Sequence, residues 1–359
     1  MSDEVQEVDT AVSAPETSTQ EAADLRDLSW LGGIWVTVVA FASVTAYWSH
    51  HVGIPLRDPD GQMFRGRLIS ALVLLVILAV LDSAVRTKRP GWSIRGWFAT
   101  LRARWTGTRL ALAVSGLLAY HFVYICYRNL KSWDVLNTPR DGDLLDFERW
   151  LFFGHDPAAL LHDVLGQGSA MATTLMIIYK SFTYLVPLAV VGALVFTTRI
   201  RDGYVLLASA MWVWILGVAS YYLIPTLGPF ASDPETFAGL PHTGITSTQA
   251  EYLAERAHLL ANPGAGDSFA SISAFASLHC AVTAMILLML RYYGQRRLAQ
   301  VLTVYLALVM VATIYFGWHF VVDDIAGVLL AATSVLIGRF LVYPRGRPVK
   351  ADRPVEADR

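Results

Sequence analysis

Eight apolar stretches, each near the length of a membrane crossing, constrain this chain more than any other feature. They run at about Leu31–Trp48, Leu68–Val85, Leu110–Tyr127, Ala170–Thr197, Tyr204–Ile224, Leu278–Leu290, Leu298–Phe316 and Val322–Val342. A helix needs about 20 mostly apolar residues to cross a hydrocarbon core of roughly 30 Å. Lipid offers no partner to a backbone N–H or C=O, so such stretches are expected to be helical. The sixth is the weakest, being short unless it extends through Tyr293. The chain is 55% hydrophobic and 16% charged, whereas soluble domains carry about 25% charged residues. The expected fold class is therefore an all-α integral membrane protein with about eight transmembrane helices.

Loop charge sets the expected orientation, because Lys and Arg concentrate on the cytoplasmic side. Four connections or ends are basic: Arg86 to Arg109, Arg199 and Arg201, Arg291 to Arg297, and Arg345 to Arg359. With both termini cytoplasmic, all four fall inside. A seven-span arrangement puts one basic set on the wrong side. The loop from Pro225 to Ala276 holds one basic residue, Arg256, and lies outside; the first outer loop fits less well, with Arg57, Arg65 and Arg67. Residues 1–27 read as a disordered acidic tail with nothing to bury. They lack a signal peptide's basic start, so insertion by the first span without cleavage is expected.

Two outer segments stand out. Asp141–Gly166 mixes Phe147, Trp150 and Phe153 with acids and reads as an interfacial amphipathic element. The 225–276 loop, rich in Gly, Pro, Ser and Thr, is expected to hold a short helix around Gln249–Leu260 and to act as a substrate lid.

Polar residues at the outer ends of the spans carry the candidate chemistry. His319 and Asp323 are four apart, which puts both on one helix face. The carboxylate can then orient one ring nitrogen and leave the other free to attack. The structural alternative is an interfacial His beside an Asp that caps a helix start. Asp324 reads as a second N-terminal acid. Ser277 and His279 open the sixth run, where backbone N–H groups favour an anion and the His can serve as general acid; a capping Ser with an interfacial His is the alternative. Lys131, with Arg128 and Arg140 near it, is a candidate phosphate-binding cation or a headgroup anchor. Lys180 lies well inside the fourth run and is either functional or snorkelling outward. His121 is read as packed within the third span. The two cysteines, Cys126 and Cys280, imply no disulfide framework and have no metal-ligand spacing. No phosphate-binding glycine loop and no basic nucleic-acid stripe is present.

These residues resemble the type-2 phosphatidic acid phosphatase superfamily of membrane lipid phosphatases and phosphotransferases. The family carries Lys-x6-Arg-Pro, Pro-Ser-Gly-His and Ser-Arg-x5-His-x3-Asp motifs. Here the first reads Lys131 to Thr138-Pro139, the second Ala276-Ser277-Leu278-His279, and the third Ala312-Thr313 to His319 and Asp323. The run Gly317-Trp318-His319-Phe320-Val321-Val322-Asp323-Asp324-Ile325-Ala326-Gly327 is especially similar. Both motif arginines are threonines, Thr138 and Thr313. Ser-Leu-His is closer to the branch containing inositol phosphorylceramide synthases. The resemblance covers about residues 120–335 and implies a six-helix, phosphatase-like catalytic domain over 110–343, with extracytoplasmic loops 128–169 and 225–276. Residues 28–109 then add two spans and a basic loop, and 344–359 form a basic tail. It further implies that His319 attacks phosphorus, Asp323 orients it, His279 moves the proton, and Ser277 and Lys131 hold phosphate oxygens. Arg128, Arg140 and Lys180 are candidates to replace the missing arginines. No metal or other cofactor is implied. The expected substrate is a prenyl or glycerophospholipid phosphate among membrane lipids, with no nucleic-acid partner. The expected location is the plasma membrane, with the site facing outward. A transporter and a non-catalytic lipid binder are the competing readings.

Overall fold

The computed structural model describes residues 28–87 and 93–345. The expected acidic tail 1–27, the middle of the basic loop and most of the basic tail lie outside the described residues. The described residues are helical, with no β-strand among them. The principal helices are α1 (Trp30–Val52), α2 (Arg67–Arg86), α3 (Ile94–Arg104), α4 (Gly107–Trp133), α5 (Asp141–Leu151), α6 (Pro157–Leu165), α7 (Ser169–Phe196), α8 (Ile200–Leu223), α9 (Gly244–Ala261), α10 (Leu278–Tyr292), α11 (Arg296–Tyr315) and α12 (Val321–Val342).

Among the described residues, seven helical stretches are long and apolar enough to cross a membrane: α1, α4, α7, α8, α11, α12 and the one ending in α2. The eighth expected span is α10, with 15 residues. At 1.5 Å per residue it covers only about 22 Å. Its short length has a physical reason. It packs among α8, α11 and α12, and most of its side chains are buried. Enclosed by protein, it need not match the lipid thickness.

Small residues let these helices meet closely, as in membrane bundles generally. A Cβ on Gly217 of α8 would stand 2.5 Å from Leu278 of α10. One on Gly338 of α12 would stand 2.4 Å from the Ser209 hydroxyl of α8. One on Gly327 of α12 would stand 2.4 Å from the Ser277 carbonyl.

The two ends of the bundle differ in charge chemistry. At one end, Arg109 donates to the carbonyls of Leu194, Thr197 and Thr198. Arg104 donates to those of Val195 and Thr197 and pairs with Asp82 at 2.6 Å. Arg201 donates to the Val342 carbonyl. Cations there satisfy carbonyls that the helix C-termini leave open. Lys131 lies at the opposite end of α4 from Arg109, and His279 and His319 lie with Lys131. Two of the three first-loop arginines that disturbed the charge count have partners within the fold. Arg57 donates to the carbonyls of Ser268 and Pro263 in the 225–276 loop. Arg67 lies 4.8 Å over the Tyr124 ring.

The two segments expected to lie outside are folded onto this second end. α5 and α6 form the 141–166 element, with Asp156 capping α6 through the N–H groups of Ala158 and Ala159. In the 225–276 loop, the expected short helix is α9. It begins earlier than expected, at Gly244, because Thr243 and Thr246 form a capping box there.

Candidate active site

Ser277 ends the long loop and caps α10. Its hydroxyl accepts from the Cys280 N–H at 3.4 Å, and its own N–H donates to the Asp323 carbonyl at 3.0 Å. That second bond ties the start of α10 to the start of α12. It places His279, on the first turn of α10, opposite the turn that carries His319. The two ring centroids lie 6.3 Å apart. Tyr179 and Phe182 of α7 pack on the His279 ring at 4.3 and 4.4 Å.

His319 is 6% exposed. Its Nδ1 lies 3.4 Å from Asp323 Oδ2, an ion-pair distance longer than a normal hydrogen bond. The same oxygen accepts from the Phe320 N–H at 3.0 Å. Capping and histidine contact therefore use one carboxylate oxygen. Asp323 Oδ1 is buried with no hydrogen-bond partner among the described residues. Burial holds the His319 pKa down, to about 4. The Asp324 charge and the Ala274 carbonyl pull upward, and Lys131 pushes further down. Near neutral pH the imidazole is uncharged and its ring lone pair is available.

Lys131 ends α4 with its Nζ 5.3 Å over the Tyr221 ring. It makes no ion pair among the described residues, and its charge acts on His319. Arg128 lies one turn back. Its Nη2 donates to the Ser271 hydroxyl at 3.1 Å, and its guanidinium sits 5.4 Å from the Phe269 ring. Arg128 thus faces the long loop, with Tyr252 and Glu255 of α9 close by.

Two predicted site residues are placed elsewhere. The Arg140 guanidinium turns to Asp143 at 2.9 Å on the surface, so the structure does not bring it to the histidines. Lys180 is exposed on α7, with its Nζ beside Gly244 at the start of α9, while its neighbour Tyr179 packs on the His279 ring. His121 is buried, with Nδ1 2.7 Å from the Leu117 carbonyl.

Several groups at the site were not singled out from the sequence. Glu148 of α5 is 3% exposed and accepts from the Val321 N–H at the head of α12. Burial raises its pKa to about 7, against that hydrogen bond, with Asp323, Asp156 and Asp324 adding to the rise. Asp324, read as a second N-terminal acid, does not cap its helix. Its Oδ1 accepts from the Cys280 thiol and its Oδ2 from the Thr313 hydroxyl, each at 2.9 Å. Thr138, the other threonine at a motif-arginine position, is exposed. The only signal for Asp324 in the sequence is the doubled acid Asp323-Asp324. Among the described residues, no group of three or more His, Cys, Asp or Glu is arranged to hold a metal ion.

A comparison with protein families matches the PAP2 superfamily over residues 142–337. That range takes in His279, His319 and Asp323 and begins after Lys131. No curated protein and no solved structure matches the chain.

Proposed function

This chain belongs to the PAP2 superfamily, whose members are phosphatases and phosphotransferases, and from that premise we propose that it is a membrane lipid phosphatase or phosphotransferase working through a phosphohistidine. The observation that carries the reading is the pair of imidazoles at 6.3 Å with Asp323 behind one of them. In the first step, His319 attacks phosphorus through the nitrogen turned away from Asp323. The phosphorus–oxygen bond to the lipid breaks, and His279 donates a proton to the departing alkoxide. In the second step, neutral His279 takes a proton from water or an alcohol. That oxygen attacks phosphorus, the phosphorus–nitrogen bond breaks, and His319 returns to its free form. Asp323 stabilises the charge that grows on the His319 ring. Lys131 offsets charge on the phosphate oxygens, with Arg128 flanking it.

The substrate class follows from where the site lies. Its residues sit at the ends of spans, under helices that join apolar and acidic residues, which suits a phosphate on a lipid tail of prenyl or glycerophospholipid type. The arginine-rich end of the bundle is the opposite one, so the positive-inside rule turns the site outward and both termini inward. As the test, phosphate release from phosphatidic acid and farnesyl phosphate in detergent micelles is measured for the wild type, His319→Ala and His279→Ala. Loss of turnover in both variants is expected. Full turnover in His319→Ala sinks the phosphohistidine route. Adding inositol or glycerol reveals transfer as a phosphorylated alcohol in place of free phosphate.

A further inference from the structure

Asp324 is 1% exposed and lies beside Asp323 in the first turn of α12. Aspartate is common there for capping, yet the capping contact belongs to Asp323. Both Asp324 oxygens instead reach other helices. Oδ1 meets Cys280 of α10, next to His279, and Oδ2 meets Thr313 of α11, six residues before His319. The Thr313 hydroxyl also lies 2.8 Å from the Met310 carbonyl. Its single proton serves one acceptor at a time, and a charged carboxylate is the stronger of the two. One side chain thus ties the three helices that bear or flank the two histidines.

We propose that Asp324 is a positioning residue for the reaction: it fixes His279 against His319 and adds a second negative charge beneath the His319 ring. This rests on the reading of His319 as the nucleophile. Two neutral donors orient a buried carboxylate without neutralising it, and a buried charge is costly unless something compensates it. The reaction supplies that compensation, because attack on phosphorus leaves the imidazole ring cationic. A charge that helps the transition state more than the ground state raises kcat. It also explains what stands at position 313. The resemblance expects an arginine there, and an arginine would pair with this carboxylate and cancel it; threonine holds it in place and leaves its charge on the ring.

The charged and titratable groups facing His319 are Asp323 and Asp324 on α12, Lys131 on α4 and His279 on α10, and Asp323 is in turn faced by Glu148 and Asp141 on α5. Those facing Asp324 are Cys280 on α10, Tyr179 on α7, Glu148 on α5 and His319, with the hydroxyls of Ser277 and Thr313. The test uses the full chain in micelles with the two lipid phosphates above. Asp324→Asn keeps the shape and removes the charge. A tenfold or larger fall in kcat is expected, with KM unchanged or lower, because an anion near the substrate phosphate has gone. The double variant Cys280→Ala/Thr313→Val removes the two donors that hold the carboxylate between α10 and α11. A buried carboxylate that loses its donors holds its charge less well, so kcat should fall at least tenfold, with KM within twofold of wild type.

A folded Asp324→Asn with kcat within twofold of wild type overturns the proposal. So does a fall in kcat accompanied by a several-fold rise in KM, which marks simple loosening. If Asp324→Asn does not fold, a folded double variant with kcat within twofold of wild type overturns it. His319→Ala, run in parallel, separates the two readings. If it is inactive while Asp324→Asn behaves as wild type, only the role of Asp324 fails. If it retains turnover, both readings fail together.

Discussion

Replacing Gly327 by alanine sets two known effects against each other at the heart of the site. In an ordinary helix the change adds about 1 kcal/mol of stability. Here the added Cβ would stand 2.4 Å from the Ser277 carbonyl and 3.2 Å from the Ala281 nitrogen. Both are backbone atoms, so neither can rotate aside. Ordinary contact begins near 3.4 Å, so the start of α10 must move by about 1 Å relative to α12 (3.4 minus 2.4). Overpacking of this kind costs about 1–3 kcal/mol, which cancels or exceeds the helical gain. The displaced atoms are those that matter for chemistry. Ser277 donates its N–H to the Asp323 carbonyl, and His279 is two residues on. A misplacement of about 1 Å can lower a rate by about 100-fold, or about 2.7 kcal/mol in the barrier. The expected result for Gly327→Ala is a kcat for lipid-phosphate release about two orders below wild type, with no rise in apparent Tm. Gly142→Ala is the control: it makes the same change in α5, where nothing lies within 4 Å of the new Cβ. It should leave kcat unchanged and hold or raise the apparent Tm. If Gly327→Ala behaves like Gly142→Ala, the close approach of α10 and α12 does not set the histidine geometry.

Other outcomes follow from single contacts. Glu148 prefers its proton in the folded state, with a pKa near 7 against an ordinary 4.5. The folded chain therefore gains stability as pH falls from about 7 toward 4.5 and loses it as pH rises, by up to about 3 kcal/mol. Glu148→Gln should flatten that part of the apparent Tm–pH curve between pH 5 and 7.5; an identical slope in both proteins refutes it. Lys131→Met removes the unpaired cation nearest His319 and should lower kcat/KM at least tenfold, whereas Arg140→Ala, exposed and paired with Asp143, should stay within twofold. Equal losses in both would mean that Arg140 reaches the substrate after all.

The spans were legible because membrane physics is coarse: lipid thickness fixes a length, and a run of apolar residues reveals it. That rule weakened only at α10, whose neighbours are protein. The histidines were legible for a related reason. Ionisable residues at the ends of apolar runs are conspicuous, and His319 and Asp323 are joined by helical spacing alone. Asp324 depended on partners 11 and 44 residues away, and Glu148 on a backbone N–H 173 residues away. No periodicity links such positions. Their contacts arise only when α5, α10, α11 and α12 converge, so a sequence displays the residues without displaying their purpose. Arg57 failed the loop count for the same reason: its guanidinium serves carbonyls of a loop more than 200 residues distant, and a count of loop charges is blind to that.

The cations nearest the histidines are partnered differently from those at the opposite end of α4. At the end bearing Arg86, Arg104 and Arg109, the guanidinium groups are occupied by helix carbonyls or by Asp82. At the histidine end, Lys131, Arg128 and Arg256 form no ion pair among the described residues, and Arg128 and Arg256 each bury an Nε without a hydrogen-bond partner. Unpaired cations near buried carboxylates are poorly compensated in the protein alone. On the proposed function, a phosphate dianion entering among them improves that balance beside His319. The threonines at 138 and 313 leave no guanidinium at those two positions. Lys131, on α4, and Arg256, on α9, offer cations from different elements. On the same reading, binding of a lipid phosphate is coupled to the placement of α9, and its cleavage to the tie that Asp324 makes among α10, α11 and α12.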